Sequence, residues 1–128
     1  MANQQSFINE LEKIAQVKSQ RDLEGTWFKG CDTYLEAMIE EVGEVRAEIA
    51  AGQPCFLEDE LGDLLWNFVC VLQHLELEQK IDKHKVYQRA VKKYKERVSD
   101  RKPGESWDSV KIRQKLELEQ EANSPKSL

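Results

Sequence analysis

Two short segments carry carboxylates at a spacing that suits cation binding: Glu41-Val-Gly-Glu44 and Glu60-Leu-Gly-Asp63. Residues three apart on a helix share a face, with Cβ atoms about 5 to 6 Å apart, so each segment presents a pair. Two such helices packed antiparallel, at the usual axial separation of about 8 to 10 Å, bring four carboxylates to one point. An all-oxygen site of this kind suits Mg2+ or Mn2+, which take carboxylate and water ligands and leave positions open for substrate phosphates. Gly43 and Gly62 sharpen the pattern. Each sits inside a helix at a cost of about 1 kcal/mol relative to alanine, directly before the second carboxylate, and is expected to let another helix approach closely. A solvated acidic face would interleave Lys or Arg at four-residue spacing, whereas here Glu40, Glu44 and Glu48 stack like charges.

Competing chemistries fit the residues less well. A di-iron carboxylate bundle needs Glu-x-x-His, and neither His74 nor His84 has a glutamate three residues before it. No Gly-containing loop of alternating acids suggests an EF-hand, and no Ser or Cys is paired with a histidine for nucleophilic catalysis. Cys31, Cys55 and Cys70 are odd in number and in no CxxC spacing, which argues against a disulfide framework or a structural zinc.

Five helices are expected to position these groups. Phe7, Leu11, Ile14 and Val17 recur at helical spacing and predict a first helix over Ser6 to Ser19, then a polar connection through Arg21, Gly25 and Gly30. Asp32, with Thr33 and Glu36 as a capping box, announces a second helix that Gly52 and Pro54 stop. Its apolar stripe is Leu35, Met38, Val42, Val45 and Ile49. With Glu41 at zero and 100° per residue, Glu44 and Glu48 fall near roughly 300° and 340°, so the carboxylates border that stripe. A third helix runs from about Phe56 to Gln79, with Leu61, Leu64, Leu65, Phe68, Leu72 and Leu75 on its main face and Trp66, Val69 and Cys70 opposite. Asp63, Asn67 and His74 line up beside Glu60, which makes Asn67 a candidate substrate contact, while His74 reads as an ordinary core histidine. Asp82 caps a fourth helix through Val86 and Val98, and Ser106 to Glu121 forms a fifth.

A helix that is apolar almost all round must be buried all round. Four or five short helices do not suffice to cover the third, so a homo-oligomer, dimer or tetramer, is expected. The class is all-α, a bundle completed by self-association, with a single domain over residues 1–122 and a disordered tail over 123–128.

Composition agrees with a soluble helical protein: 128 residues, 40% hydrophobic and 34% charged, with six glycines and three prolines. The most apolar run, Leu64 to Leu72, is about half of what a bilayer requires. With no signal-like start, a cytoplasmic protein that avoids membranes is expected. The net charge of -5 disfavours nucleic-acid binding but conceals an uneven distribution. Nine acidic residues against one arginine lie between Glu36 and Asp63, and ten basic residues against three acidic ones between Lys80 and Lys102.

Glu40-Glu41-x-x-Glu44 followed by Glu60-x-x-Asp63 resembles the EExxE and ExxD signature of the MazG-type nucleoside triphosphate pyrophosphohydrolases. The likeness runs from about Arg21 to Lys115. It includes Arg21-Asp22-x-Glu24-Gly25 and Trp27 upstream, then Lys93-x-x-x-Arg97 and Trp107-x-x-x-Lys111 downstream. The resemblance implies Mg2+-dependent hydrolysis of a nucleoside triphosphate between its α and β phosphates, by a helical homo-oligomer. It assigns Glu41, Glu44, Glu60 and Asp63 as metal ligands, with Glu40 beside them to orient or deprotonate water. Lys93 and Arg97 then hold the pyrophosphate end, and Trp27, Trp107 and Lys111 are further substrate contacts. The chain departs from longer members at Val98 to Pro103, where they carry a basic, His-containing stretch, and at Gly25-Thr26, where they carry Cys-Pro. These departures leave base and sugar open. Phosphoribosyl-ATP pyrophosphohydrolase and dUTPase-like activities share the helices and acids. From another class, a helical interaction protein would use the basic fourth helix for a partner and the acids for solubility.

Overall fold

A computed structural model describes residues 3–124. These form five α-helices: α1 (Gln4–Glu24), α2 (Asp32–Ala51), α3 (Pro54–Leu77), α4 (Lys83–Tyr94) and α5 (Trp107–Asn123), with a π-helical turn, Lys95–Ser99, after α4. No strand occurs among the described residues, so the class is all-α. No described helix is long and apolar enough to cross a membrane. The contacts divide the chain into two compact units, residues up to Lys83 and residues from His84 onward.

In the first unit, α1 starts on Asn3, whose side chain accepts the Ser6 N–H at 2.8 Å. It outruns the expected Ser19 by more than a turn. Its buried stripe there is Ala15, Ser19 and Asp22, so polar residues continue the face and the apolar periodicity falls silent. The capping box expected at Thr33 and Glu36 is not the one used. α2 begins with Cys31 at its cap and no side-chain bond there, while the Thr33 hydroxyl accepts the Lys29 N–H at 2.9 Å. Gly52, in the left-handed region at φ 80°, closes α2 as expected, and Pro54 opens α3.

The two-residue link and the packing of α2 on α3 make an antiparallel hairpin. Its seam follows a heptad-like rhythm. On α2, Tyr34, Met38, Glu41, Val45 and Glu48 are withdrawn from solvent, and on α3 Leu57, Glu60, Leu64, Asn67, Val71 and His74 are. The expected α2 stripe is thus rotated by about one residue: Leu35, Val42 and Ile49 are exposed. α3 is rotated too. Leu61, Leu65 and Phe68, assigned to its main face, are exposed, whereas Trp66, Val69 and Cys70 belong to the core. α1 packs on α3 and supplies Ala15 and Leu11 to the cluster that includes Val69, Cys70 and Trp66. Lys83 closes the unit, with Nζ 3.1 Å from Glu12 and its N–H donated to Glu76.

In the second unit, Ser106 caps α5 through reciprocal bonds with Ser109, and Val110 is fully buried. Gln114 joins α5 to the preceding segment: its Nε2 donates to the Lys93 carbonyl at 3.1 Å and to Glu96 at 2.9 Å. Asn123, expected to begin the tail, still belongs to α5. Residues 125–128 of that expectation lie outside the described residues.

Candidate active site

Because Glu41 and Glu60 fall in the α2–α3 seam, the hairpin packs carboxylates against each other. Glu41, Glu60 and Asp63 each offer an oxygen within 4.8 Å of the others. Glu44 is exposed but within hydrogen-bonding reach of both Glu41 and Glu60. The Glu41 and Glu60 Oε2 atoms are buried without a hydrogen-bond partner. A buried, unpaired carboxylate oxygen is strongly unfavourable, and two facing each other are worse.

Crowding the carboxylates together favours the protonated form of the cluster. Hydrogen bonding to Glu41 and then to Glu44, with desolvation and repulsion added, pushes the Glu60 carboxyl up to about 8. Desolvation raises Glu41 as well, opposed by the Glu60 hydrogen bond and assisted by the charges of Glu44 and Asp63. The alternative to the proton is a cation: two orphaned oxygens and a third carboxylate fit a hard divalent ion. A divalent cation would be held by Glu41, Glu60 and Asp63, with Glu44 at the rim.

The other sequence candidates distribute unevenly. Glu40 stands exposed on α2, next to Glu41 in sequence but outside the tight group. Asn67 is buried in the seam one turn beyond Asp63, and its Nδ2 donates to the Asp63 carbonyl at 3.0 Å. Gly43 and Gly62 do not serve the close helix approach expected of them, since a Cβ on either would meet nothing within 4 Å.

In the second unit, Lys93, Arg97, Lys111 and Lys115 line one cavity of about 340 Å3. Arg97 lies in the π-helical turn and is fixed from two sides. Its Nε donates to Gln114 at 2.8 Å, and its guanidinium lies 5.4 Å from the Trp107 ring and 5.7 Å from that of Tyr94. Trp107 therefore serves as a platform for Arg97. Lys93 and Lys111 are exposed, leaving their ammonium groups available to an anion. Lys115 escaped the sequence reading, although it stands one turn after Lys111.

A second constellation also escaped it. Asp22 is buried and accepts three donors: Lys18 on Oδ1, and the Tyr34 hydroxyl and His74 Nε2 (2.8 Å) on Oδ2. Burial pulls the Asp22 pKa up, but the bonds from Lys18, Tyr34 and His74 outweigh it and hold the carboxyl below its ordinary value. Phe28 stacks on His74 with centroids 4.0 Å apart. Trp27, 55% exposed, stands edge-on to Tyr34 at 5.2 Å with the Lys18 ammonium 4.4 Å over its ring. The alignment of His74 with Asp63 and Asn67 was the available signal, but its partner lies 52 residues away.

No curated protein and no solved structure matches the chain. A family model does, that of the MazG nucleotide pyrophosphohydrolase domain, over residues 29–101. The matched span holds all of α2 and α3, with the three clustered carboxylates and Glu44, then α4 and the π-helical turn, with Lys93 and Arg97; it begins after Trp27 and ends before Trp107. With more than half of its length matched, on the helices that carry the acidic cluster, the chain belongs to the MazG nucleotide pyrophosphohydrolase domain family.

Proposed function

We propose that the protein hydrolyses a nucleoside triphosphate, ribo or deoxyribo, between the α and β phosphates to give the monophosphate and pyrophosphate, in a Mg2+-dependent reaction that serves nucleotide-pool housekeeping. The observation that carries this reading is the pair of buried, orphaned oxygens on Glu41 and Glu60, with Asp63 beside them. A bound divalent cation would neutralise phosphate charge and ease deprotonation of water. Glu41, Glu44, Glu60 and Asp63 hold it, and Glu40, exposed on the next residue of α2, is the candidate base. Lys93, Arg97 and Lys111 bind the polyphosphate, Arg97 as a fixed fork and the lysines as point charges. Asn67, Trp27 and Trp107 complete the substrate contacts.

The single domain over 1–122 is part of the proposal, supported by a family match that runs across the boundary between the two units. So are a cytoplasmic location and a homo-oligomer, dimer or tetramer. The oligomer rests on a different surface from Trp66, Val69 and Cys70, since the chain itself buries Val69 and Cys70 and packs the partly buried Trp66 against them. Leu35, Ile39, Val42 and Ile49 on α2, and Leu61, Leu65 and Phe68 on α3, each stand one residue past their seam positions. In antiparallel helices that offset turns both stripes to the same side of the hairpin, opposite α1. An apolar face of this extent suits a second copy.

The test is a panel of ribo- and deoxyribonucleoside triphosphates with Mg2+, resolving pyrophosphate from orthophosphate. Metal-dependent pyrophosphate release from at least one is expected. Orthophosphate with diphosphate would show that the wrong bond was assigned. No turnover and no saturable nucleotide binding would favour the helical interaction protein, and activity confined to phosphoribosyl-ATP or dUTP would move the assignment within the enzyme class.

A further inference from the structure

The Asp22 network shares no residue with the acidic cluster or the basic cavity, yet it places a carboxylate and an imidazole almost out of reach of water. Such an arrangement is kept only if every group is partnered, and here each donor comes from a different helix: Lys18 from α1, Tyr34 from α2, His74 from α3. These three donors are also what the α1–α2 connection leans on. Phe28 stacks on His74, Trp27 meets the edge of Tyr34, and Lys18 lies over Trp27. Gly25 and Gly30 flank a segment with few other anchors, and Trp27 is more than half exposed. A shallow cavity of about 390 Å3 opens there, walled by Lys18, Asp22, Trp27 and Phe28.

We infer that Asp22 is a positioning residue for Trp27: by orienting Lys18, Tyr34 and His74 it holds the Trp27 ring in a fixed attitude beside this cavity. The use of that ring for a nucleotide rests on the function proposed above, whereas its immobilisation does not. Two sets of measurements separate the two. In a chain whose only tryptophan is Trp27 (Trp66→Phe, Trp107→Phe), Asp22→Asn is expected to lower the steady-state fluorescence anisotropy of Trp27. Lys18→Met keeps the aliphatic stem, removes the ammonium from over the ring and from Asp22, and should do the same in a chain shown by its melting transition to be folded, which covers the case in which Asp22→Asn fails to fold. In the otherwise unaltered protein, Asp22→Asn should raise the nucleotide KM about tenfold with kcat within about twofold. Added to Trp27→Ala, it should cost nothing further, because the two act through one ring. Unchanged anisotropy in both variants, or KM effects of Asp22→Asn and Trp27→Ala that multiply in full, would overturn the inference. If the parent turns over no nucleotide, the proposed function fails and the anisotropy alone decides the positioning role.

Discussion

At Glu60, folding pushes the carboxyl up to about 8, chiefly through the hydrogen bonds to Glu41 and Glu44, so the metal-free protein keeps a proton there at neutral pH. A carboxyl raised in this way binds a proton that the unfolded chain has released. Its contribution to stability is fully present below the ordinary value of 4.5 and is lost as pH rises through about 8. In chelator, the Tm of the parent relative to Glu60→Gln should therefore fall across that window; parallel curves would mean that no such proton is held. Asp22 has the opposite sign. Its lowered pKa gives stability that is present above the ordinary carboxylate value and lost on acidification through the folded one. Glu41→Gln and Asp63→Asn each remove one charge from the cluster. Both should abolish most turnover while leaving chelated protein as stable as the parent or more so. Mg2+ should then reverse the order, since a hundredfold excess over the dissociation constant stabilises the binding state by about 2.7 kcal/mol. Variants that lose stability in chelator yet gain as much from Mg2+ as the parent would make these carboxylates structural.

The helices gather these residues by rotation as much as by position. Expecting Leu35, Val42 and Ile49 in the core assumed that apolar side chains choose the buried face. The seam instead takes Tyr34, Glu41 and Glu48, because Tyr34 is drawn in by Asp22 and Glu41 is packed against Glu60. Gly43 and Gly62 follow from the same rotation: both lie on open helix surface with nothing near an added Cβ. Gly43→Ala and Gly62→Ala should therefore each stabilise the protein by about 1 kcal/mol, read as a higher Tm. Loss of activity along with that gain would mean that the substrate occupies the space. A drop in Tm would mean that another chain packs there. In the second unit, Gln114→Ala should loosen Arg97, since it removes the Nε acceptor while leaving the rings in place, and should raise KM for the nucleotide more than it lowers kcat.

For the molecule as a whole, the hairpin is covered by α1 on one side and carries exposed Ile39, Val42, Leu61, Leu65 and Phe68 on the other. Leu65→Asp, placed on this exposed side, should give a folded monomer in sedimentation. Val69→Asp, at 3% exposure, should instead unfold the protomer itself by burying a charge without a partner. An unchanged oligomer with Leu65→Asp, or a monomeric parent, would remove this face as the site of self-association.

How far each feature could be read follows from how local its causes are. Helix existence and limits depend on residues a few positions apart, so Gly52, Pro54, Ser106 and the spaced apolar side chains announced α2, α3 and α5 within a residue or two. The pairing of Glu41 with Glu44 and of Glu60 with Asp63 is equally local. Rotation about the helix axis is not. α3 is apolar nearly all round, so its sequence gives no preference between the side holding Leu61 and Leu65 and the side holding Val69 and Cys70. The choice was made by α1 packing against the latter. The Asp22 network, closed by a partner 52 residues away, exists only once three helices meet, and the orphaned oxygens of Glu41 and Glu60 only once α2 meets α3, because burial and desolvation are properties of the assembled core.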